Sequence, residues 1–177
     1  MAVLKITRLG DPVLRKSAEP VRQEDIGSPE IQRLIDDMAD TMRDSEGVGL
    51  AAPQVNVPKR VILMEVRGGN PRYPGRDEVP LTVLINSEIA PIGDEMEESW
   101  EGCLSIPDLR GVVPRYRRIT VSAFDRNAKP VKFEASDFFA RVIQHEVDHL
   151  HGVVFLDRMK NFATLTHLRE FGRFWQG

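Results

Sequence analysis

The chain has 177 residues, and its 41% hydrophobic and 29% charged residues exclude a disordered or collagen-like polypeptide. No apolar run approaches the ~20 residues that a membrane-spanning helix needs, so we expect no membrane association. The net charge of −3, with basic and acidic residues interspersed, argues against a dedicated nucleic-acid surface. The length suits one domain, residues 1–177, and the N-terminal residues lack the apolar core of a signal peptide, which favours the cytoplasm.

The first predicted element is an amphipathic helix that begins after Ser28. Serine is a favourable N-cap, and Pro29 suits the first helical position. Gly47 can end this helix, and residues 47–54, with two glycines and a proline, are expected to form a loop or an irregular extended edge. Between these ends, apolar side chains recur at the spacing of one helical face: Ile31, Leu34, Ile35, Met38 and Met42.

Apolar patterns predict strands over residues 59–66 and 81–86. The stretch between them, residues 68–80, is rich in Gly and Pro and is expected to be a surface loop, with a lid over a cleft as the alternative. Residues 119–124 and 131–134 predict a hairpin whose turn lies at the intervening polar residues.

The remaining predicted elements are helices. One spans residues 136–151 and is followed by Gly152, and a short C-terminal helix spans residues 165–175. Several mainly antiparallel strands combined with two or three helices predict an α+β fold, with the strands packed around the helix of residues 136–151.

This second long helix contains the pattern H-E-x-x-H, formed by His145, Glu146 and His149. Residues four apart on a helix lie on one face, so the two imidazoles can bind one divalent metal ion. Glu146 stands beside the first histidine, where it can take a proton from a water whose pKa the metal lowers. Phe138 and Val142 fall on the same face, which is therefore expected to be buried. The pattern predicts a hydrolytic metal site.

A catalytic site of this kind needs a third protein ligand. One metallopeptidase pattern continues to a third histidine, but this chain has Phe155 at that position. A second pattern uses a glutamate about twenty residues after the motif, and Glu170 lies at about that distance. The third candidate is Cys103, the only cysteine, which is either a core residue or a thiolate ligand. Spacing alone leaves Glu170 and Cys103 both open.

Three segments together resemble the signature motifs of peptide deformylases: residues 47–54 (GVGLAAPQ), 101–105 (EGCLS) and 144–150 (QHEVDHL). The resemblance extends over most of the chain, across residues 10–157. It implies a metal-dependent hydrolase that removes the formyl group from the N-terminal methionine of newly made polypeptides and releases formate.

The resemblance also implies which residues bind the metal. Cys103, His145 and His149 would be the ligands, with water in the fourth position and Glu146 as the catalytic acid and base. The resemblance to this family favours Fe²⁺ in the cell, whereas the ligand types alone would accept Zn²⁺, Ni²⁺ or Co²⁺ as well. Glu101 is expected to support the metal-binding loop.

Further roles follow from the same resemblance. The side chain of Gln54 and the backbone N–H of Leu104 would stabilise the developing oxyanion. Val48 and Gly49 would offer backbone groups to the peptide, as an added strand does, and Gly49 would allow its close approach. Arg110 would contact the substrate chain. Leu104, together with Ile143, is also expected to wall the pocket for the methionine side chain.

The implied partners are the N-formylmethionyl peptides of nascent chains. Contact with the ribosome is conceivable through the basic residues of the C-terminal part: Arg158, Lys160, Arg169 and Arg173. The location implied is the cytoplasm of a bacterial-type cell, or an organelle if a targeting segment was removed.

Two other functional classes stay open on the residues alone. One is a metalloendopeptidase that uses Glu170 as its third ligand. The other is a metal-binding or peptide-binding protein with a closed site and no enzymatic activity. Glu146 and Gln54 argue against a closed site, because a purely structural metal site needs neither.

Overall fold

The computed structural model describes residues 2–69 and 77–175. Within these ranges, strands form two antiparallel sheets. The first sheet has the order β1-β2-β3-β6-β7 and the second the order β4-β5-β8. The strands are β1 (Gly49–Ala51), β2 (Val61–Val66), β3 (Val79–Pro91), β4 (Met96–Cys103), β5 (Ile106–Tyr116), β6 (Arg118–Phe124), β7 (Pro130–Ser136) and β8 (Thr166–His167).

Two long helices and several short ones accompany the sheets. The α-helices are α1 (Pro29–Asp44), α2 (Asp137–Leu150), α3 (Phe155–Arg158) and α4 (Leu168–Phe174), and short 3₁₀ helices occupy Pro12–Arg15, Gln23–Asp25 and Ala52–Val55. The predicted α+β fold, with antiparallel strands around the helix that carries the H-E-x-x-H pattern, is confirmed. No helix of the described residues is long and apolar enough to cross a membrane.

The first sheet lies between the two long helices, and β2 is buried on both faces. Ile62 and Met64 belong to the core cluster that contains the apolar side of α2, whereas Leu63 belongs to the cluster under α1. This double burial explains why β2 is a continuous apolar run instead of an alternating one. A Leu63→Ala change should therefore cost about 2–5 kcal/mol of unfolding free energy.

Helix α1 begins as predicted, because the hydroxyl of Ser28 accepts a hydrogen bond from the N–H of Ile31 at 3.3 Å. Its end differs from the prediction. The helix ends at Asp44, and the residue with a left-handed conformation is Glu46, with φ 53°. Gly47 instead allows a close approach, since a Cβ there would lie 2.9 Å from Cδ1 of Leu104.

Helix α2 runs through the centre of the molecule and is buried along most of its length. It ends at Leu150, and Gly152 follows with φ 71°. A Cβ on Gly152 would lie 2.6 Å from the carbonyl carbon of Arg15, so glycine is needed there for both conformation and space. The N-terminal segment thereby closes over the end of the metal-binding helix.

The sequence patterns did not predict the hairpin of β4 and β5. Strand β4 (Met96–Cys103) is rich in glutamate, and β5 (Ile106–Tyr116) contains Pro107, Gly111 and Pro114. These residue types are depleted in strands, or confined to edges and bulges, so local propensity pointed away from a sheet. This hairpin nevertheless carries Cys103 to the site.

The other predicted strands are present. Strand β2 begins at Val61, two residues later than predicted, whereas β3, β6 and β7 extend beyond their predicted ends. The hairpin of β6 and β7 turns at residues 125–129, where the Asp125 carboxylate accepts hydrogen bonds from the N–H groups of Asn127 and Lys129. The predicted loop over residues 68–80 falls largely on residues 70–76, which lie outside the described residues, and β3 already begins at Val79.

The C-terminal prediction was partly correct. A helix is present, but it starts at Leu168, because Thr166 and His167 form strand β8 and pair with Arg110 and Leu109 of β5.

Candidate active site

The two histidines of the H-E-x-x-H pattern meet the single cysteine. Helix α2 presents His145 and His149 one turn apart, and β4 ends at Cys103. The potential ligand atoms of these three residues all lie within 4.8 Å of one another. Sγ of Cys103 is 3.2 Å from Nε2 of His149. Glu170 lies on the exposed face of α4 and does not belong to this group, so Cys103 is the third candidate ligand.

The donor set fits a divalent metal. Atoms bound to one metal at about 2.0–2.3 Å must lie within ~4.5 Å of each other, and one thiolate with two imidazoles is a recurrent set for Zn²⁺ and related ions. Burial would raise the pKa of the Cys103 thiol, but the charges and hydrogen bonds of His149 and His145 hold it well below its ordinary range. A thiol with a depressed pKa supplies the thiolate that metal binding requires.

Glu101 orients the first histidine. Its Oε2 lies 2.8 Å from Nδ1 of His145, which leaves Nε2 of that ring for a metal. Glu101 is buried, and burial would raise its pKa, yet hydrogen bonds and charges from His145 and Arg115 keep the pKa well below its ordinary value. A carboxylate behind a ligating imidazole fixes the ring and raises its basicity. Glu101 was expected to support the metal-binding loop, and its contact with Nδ1 of His145 gives that expectation a geometric basis.

Two buried arginines that the sequence analysis did not identify hold Glu101 in turn. Nε and Nη2 of Arg115 donate to its two oxygens at 2.9 and 3.0 Å, and Nη1 of Arg141 donates to Oε1 at 2.9 Å. Arg141 precedes His145 by one turn of α2, a spacing that could have indicated it. Arg115 lies on the hairpin that was not predicted, so no local signal pointed to it.

The network continues through Arg115 to Asp148, three residues after His145 on α2. Its carboxylate is buried and accepts hydrogen bonds from Arg115 and, at 2.6 Å, from Nη2 of Arg158. Burial would raise the pKa of Asp148, but the two arginines keep it below its ordinary value. Asp148 therefore balances the charge of Arg115, and it does not belong to the group of three potential ligands.

Glu146 is buried beside these ligands. Burial raises its pKa to about 7; the charges of His145 and His149 oppose this shift, and those of Cys103 and Glu101 add to it. A carboxyl group with a pKa near neutrality can both accept and donate a proton. Its Oε2 has no hydrogen-bond partner among the described residues, although it is buried. Such an atom is expected to face a reacting water.

Gly49 packs directly against the side chain of Glu146, which leaves no room for a Cβ at this position. An added Cβ would lie 2.3 Å from Oε1 of Glu146 and 2.9 Å from its Cγ and Cδ. A glycine here was expected to allow the approach of a peptide, whereas the contact present in the structure is with the carboxyl group of Glu146 on α2.

Gln54 presents its amide nitrogen to the site. Its Oε1 accepts a hydrogen bond from the N–H of Ala51 at 2.8 Å, which fixes the orientation of the amide group. Its Nε2 then lies 3.4 Å from Sγ of Cys103 and 3.3 Å from Oγ of Ser105. Gln54 is only 1% exposed, so the donor is held in place before any ligand binds.

Leu104 follows the cysteine in a two-residue turn, since Cys103 pairs with Ile106 across the hairpin. In such a turn the N–H of the first central residue is not used by the strand ladder. The backbone N–H of Leu104 therefore lies next to the cysteine in the chain, within the turn that joins β4 and β5.

A cleft of about 480 Å³, its open mouth included, leads to these groups. Leu104 lines it, as expected, together with Phe138 and Val142 from the first turns of α2. Ile143 lies fully buried in the core on the other side of the helix, which differs from the expected pocket wall. The apolar side of the cleft is thus formed by α2 and the hairpin turn.

Of the three residues expected to bind the peptide, two line the cleft and the third, Arg110, is buried behind it. Val48 and Gly49 line the cleft, and β1 is an edge strand that pairs only with β2 among the described strands. Arg110 is 5% exposed and lies behind Gly102, where a Cβ would be 3.0 Å from Cδ of the arginine.

Comparisons with known proteins all point to one family. The sequence model of the family described as polypeptide deformylase matches residues 3–164. The chain is 47% identical over 158 residues to peptide deformylase 1 of Bordetella pertussis, covering 89% of this chain and 88% of that protein. It is 48% identical over 164 residues to peptide deformylase 1 of Prochlorococcus marinus, covering 93% and 84%.

Solved structures agree with this result. A class I type b peptide deformylase from Acinetobacter baumannii with bound Met-Ala-Ser superimposes with a TM-score of 0.86 at 40% identity, covering 89% of this chain and 99% of that one. A peptide deformylase from Synechococcus elongatus in complex with actinonin gives a TM-score of 0.78 at 39% identity, covering 91% and 81%. The chain belongs to the polypeptide deformylase family, the hydrolases that remove the formyl group from N-terminal formylmethionine.

Proposed function

We propose that this chain deformylates N-formylmethionyl peptides with Glu146 as the proton carrier and Gln54 and the Leu104 N–H as the oxyanion donors. The observation that carries the proposal is the arrangement around Cys103. A buried carboxyl group with a pKa near 7 and an immobilised amide donor both border the three candidate ligands.

Cys103, His145 and His149 would hold one divalent metal ion, and Fe²⁺ is the ion that we propose. A metal bound there polarises a carbonyl oxygen and lowers the pKa of a water to near neutrality. Zn²⁺, Ni²⁺ and Co²⁺ suit the same thiolate and imidazole ligands, so the choice of iron rests on kinship.

Glu146 takes a proton from the water that attacks the formyl carbon. It then gives this proton to the amine nitrogen as the carbon–nitrogen bond breaks, so that formate and a free α-amino group are released. Its position supports this role, because its buried Oε2 has no hydrogen-bond partner among the described residues and lies beside the three candidate ligands.

The amide of Gln54 and the N–H of Leu104 donate to the formyl oxygen as negative charge develops on it. The fixed orientation of Gln54 supports this role. Its Oε1 already accepts a hydrogen bond from the N–H of Ala51, so the Nε2 donor does not have to reorient during the reaction.

The peptide would lie in the cleft between the edge of β1 and the hairpin turn. Val48 and Gly49 supply backbone groups to it at this strand edge, in the manner of an added strand. Arg110, just behind the cleft residue Gly102, is proposed to contact the following part of the peptide. The peptide Met-Ala-Ser bound to the Acinetobacter baumannii relative supports a peptide ligand for this chain as well.

Three broader proposals accompany this one. Residues 1–177 form one catalytic domain, the enzyme works in the cytoplasm on nascent chains, and basic residues such as Arg158 and Lys160 contact the ribosome. The first is supported by the family match over residues 3–164 and the second by the bacterial origin of the similar proteins.

The direct test is formate release from formyl-Met-Ala-Ser by anaerobically purified, metal-loaded protein. Acetyl-Met-Ala-Ser, which lacks the small formyl group, and casein, which offers internal peptide bonds, are the matched controls. We expect rapid release from the formyl peptide alone. Cleavage of casein without formate release would contradict the proposal and favour an endopeptidase.

A further inference from the structure

The C-terminal segment, defined here as residues 166–175, lies beyond residue 164, where the match to the family's sequence model ends. It consists of β8, α4 and Trp175. Strand β8 extends the second sheet by pairing with Leu109 and Arg110 of β5. The segment is therefore attached to the hairpin that carries Cys103.

Aromatic contacts join the segment to β4. The ring of Trp100 lies 4.9 Å from that of Phe171 in an edge-to-face arrangement and 5.3 Å from that of Trp175. The guanidinium of Arg110 lies over the Phe171 ring at 5.7 Å from its centre. Phe171 is 8% exposed, whereas Trp175 is 54% exposed, so the cluster is closed at its base and open at its rim.

The same cluster borders the cleft. Trp100 and Gly102 line it, and the side of Gly102 that lacks a Cβ faces the Arg110 side chain. Phe171 and Arg110 thus support the cleft wall from behind.

We propose that the C-terminal segment fixes Trp100 as a wall for the peptide residues that follow the methionine, so that Phe171 and Trp175 are positioning residues for substrate affinity. This inference rests on the proposed function, because it assumes that the formyl group is held beside Cys103.

The position along β4 determines which part of the peptide is affected. Trp100 precedes Cys103 by three residues, and strands rise ~3.3 Å per residue, so the wall lies at most ~10 Å along the strand from the ligand, since the register shifts between Glu101 and Cys103. An extended peptide covers that distance in about three residues, which places the second and third residues near Trp100. Aromatic rings at a partly wet rim favour apolar side chains there.

The test compares two substrates in Phe171→Ala and Phe174→Ala variants. Phe174 lies on the same helix but is 65% exposed and has no ring contact with Trp100 among the described contacts. For Phe171→Ala we expect KM for formyl-Met-Leu-Phe to rise about three- to tenfold, because one aromatic contact is lost. The kcat for that substrate and KM for formyl-Met amide should stay within about twofold, as should both constants in Phe174→Ala.

Binding without turnover supplies a second readout. The chain has two tryptophans, so Trp175→Phe leaves Trp100 as the only indole. Titration with the product peptide Met-Leu-Phe should change the Trp100 emission, whereas methionine amide should not. Trp175→Ala replaces an exposed side chain, so it can be used if Phe171→Ala fails to fold. It should likewise raise KM for formyl-Met-Leu-Phe.

Three outcomes would overturn the proposal: an equal rise of KM for both substrates, no rise in either C-terminal variant, or a Trp100 emission that ignores Met-Leu-Phe. A parent enzyme that releases no formate from either substrate would instead refute the proposed function. The emission titration still decides the role of the wall in that case, so the two failures are distinguishable.

Discussion

The position that a Cβ of Gly49 would occupy lies 2.3 Å from Oε1 of Glu146, so the edge strand and the metal-binding helix are in contact at the carboxyl group itself. Glu146 is buried, and its Cγ and Cδ would also lie 2.9 Å from that Cβ. Gly49 therefore determines where the carboxyl group can be, independently of any peptide contact.

A Gly49→Ala variant should consequently displace Glu146 while leaving the candidate ligands in place. We expect kcat to fall about 100-fold, in line with the usual contribution of a positioned general base, with the metal content unchanged. Steady-state kinetics together with metal analysis would check this. Gly27→Ala is the matched control, since a Cβ at Gly27 meets nothing within 4 Å and activity should persist.

The buried network behind His145 yields a prediction about metal affinity. Glu101→Gln removes the negative charge that faces His145 and leaves Arg115 and Arg141 without their shared partner. We expect metal affinity to fall about 10- to 100-fold, measured by competition with a chelator. Glu98→Gln, an exposed change on the same strand, should have no such effect. Equal affinities for parent and Glu101→Gln would show that the network does not tune the site.

The identity of the third ligand can be tested by two substitutions. Cys103→Ser should abolish stoichiometric metal binding, because the thiolate belongs to the ligand group, whereas Glu170→Gln on the exposed face of α4 should retain it. Metal analysis of both purified variants provides the measurement. The reverse pattern would restore the endopeptidase hypothesis that spacing had left open.

Stability should depend on pH through the pair of Arg43 and Glu65. The hydrogen bond from Nε of Arg43, at 2.7 Å, lowers the pKa of Glu65 below its ordinary value of 4.5, against an opposing effect of partial burial. A carboxyl group whose pKa is lowered by folding stabilises the protein above that ordinary value, and the contribution disappears as the pH falls through the lowered pKa.

Glu65→Gln should thus reduce the free energy of unfolding at pH 7 by up to about 1 kcal/mol. The difference from the parent should shrink progressively below pH 4.5, as urea unfolding at several pH values would reveal. Glu134→Gln, which breaks a pair whose side chains are both more than half exposed, should change little at either pH. A Glu65 effect that is independent of pH would argue against an electrostatic origin.

Elements with strong local patterns were predictable from the sequence. Helix α1 combines a Ser28 cap with an apolar face, and β2 is a continuous apolar run, so cap chemistry and periodicity were sufficient. The hairpin of β4 and β5 was not predictable, because its glutamates and prolines oppose strand formation locally. Its pairing is stabilised by tertiary contacts, among them the buried Arg115 and Glu101.

The residues of the candidate site likewise divide into those that a local pattern predicts and those that it does not. His145, Glu146 and His149 were recognisable because their spacing on one helix is itself the chemical signal. Cys103 was a candidate ligand as the only cysteine, but only the resemblance favoured it over Glu170, and Gln54 became identifiable through the resemblance alone. No sequence distance predicts that β4 and the 3₁₀ helix Ala52–Val55 meet α2. The roles of Arg115 and the C-terminal segment depend on long-range contacts that no local pattern encodes, whereas Arg141 stands one turn before His145 on α2 and could have been found from that spacing.

The central claim is that Glu146 carries the proton during deformylation, and the Glu146→Gln variant tests it most directly. Formate release from formyl-Met-Ala-Ser would be measured for the anaerobic parent and the variant, with metal content determined on the same samples. We expect rapid release by the parent and a loss of at least about 100-fold in the variant with its metal retained. A metal-loaded variant that releases formate as fast as the parent would contradict it.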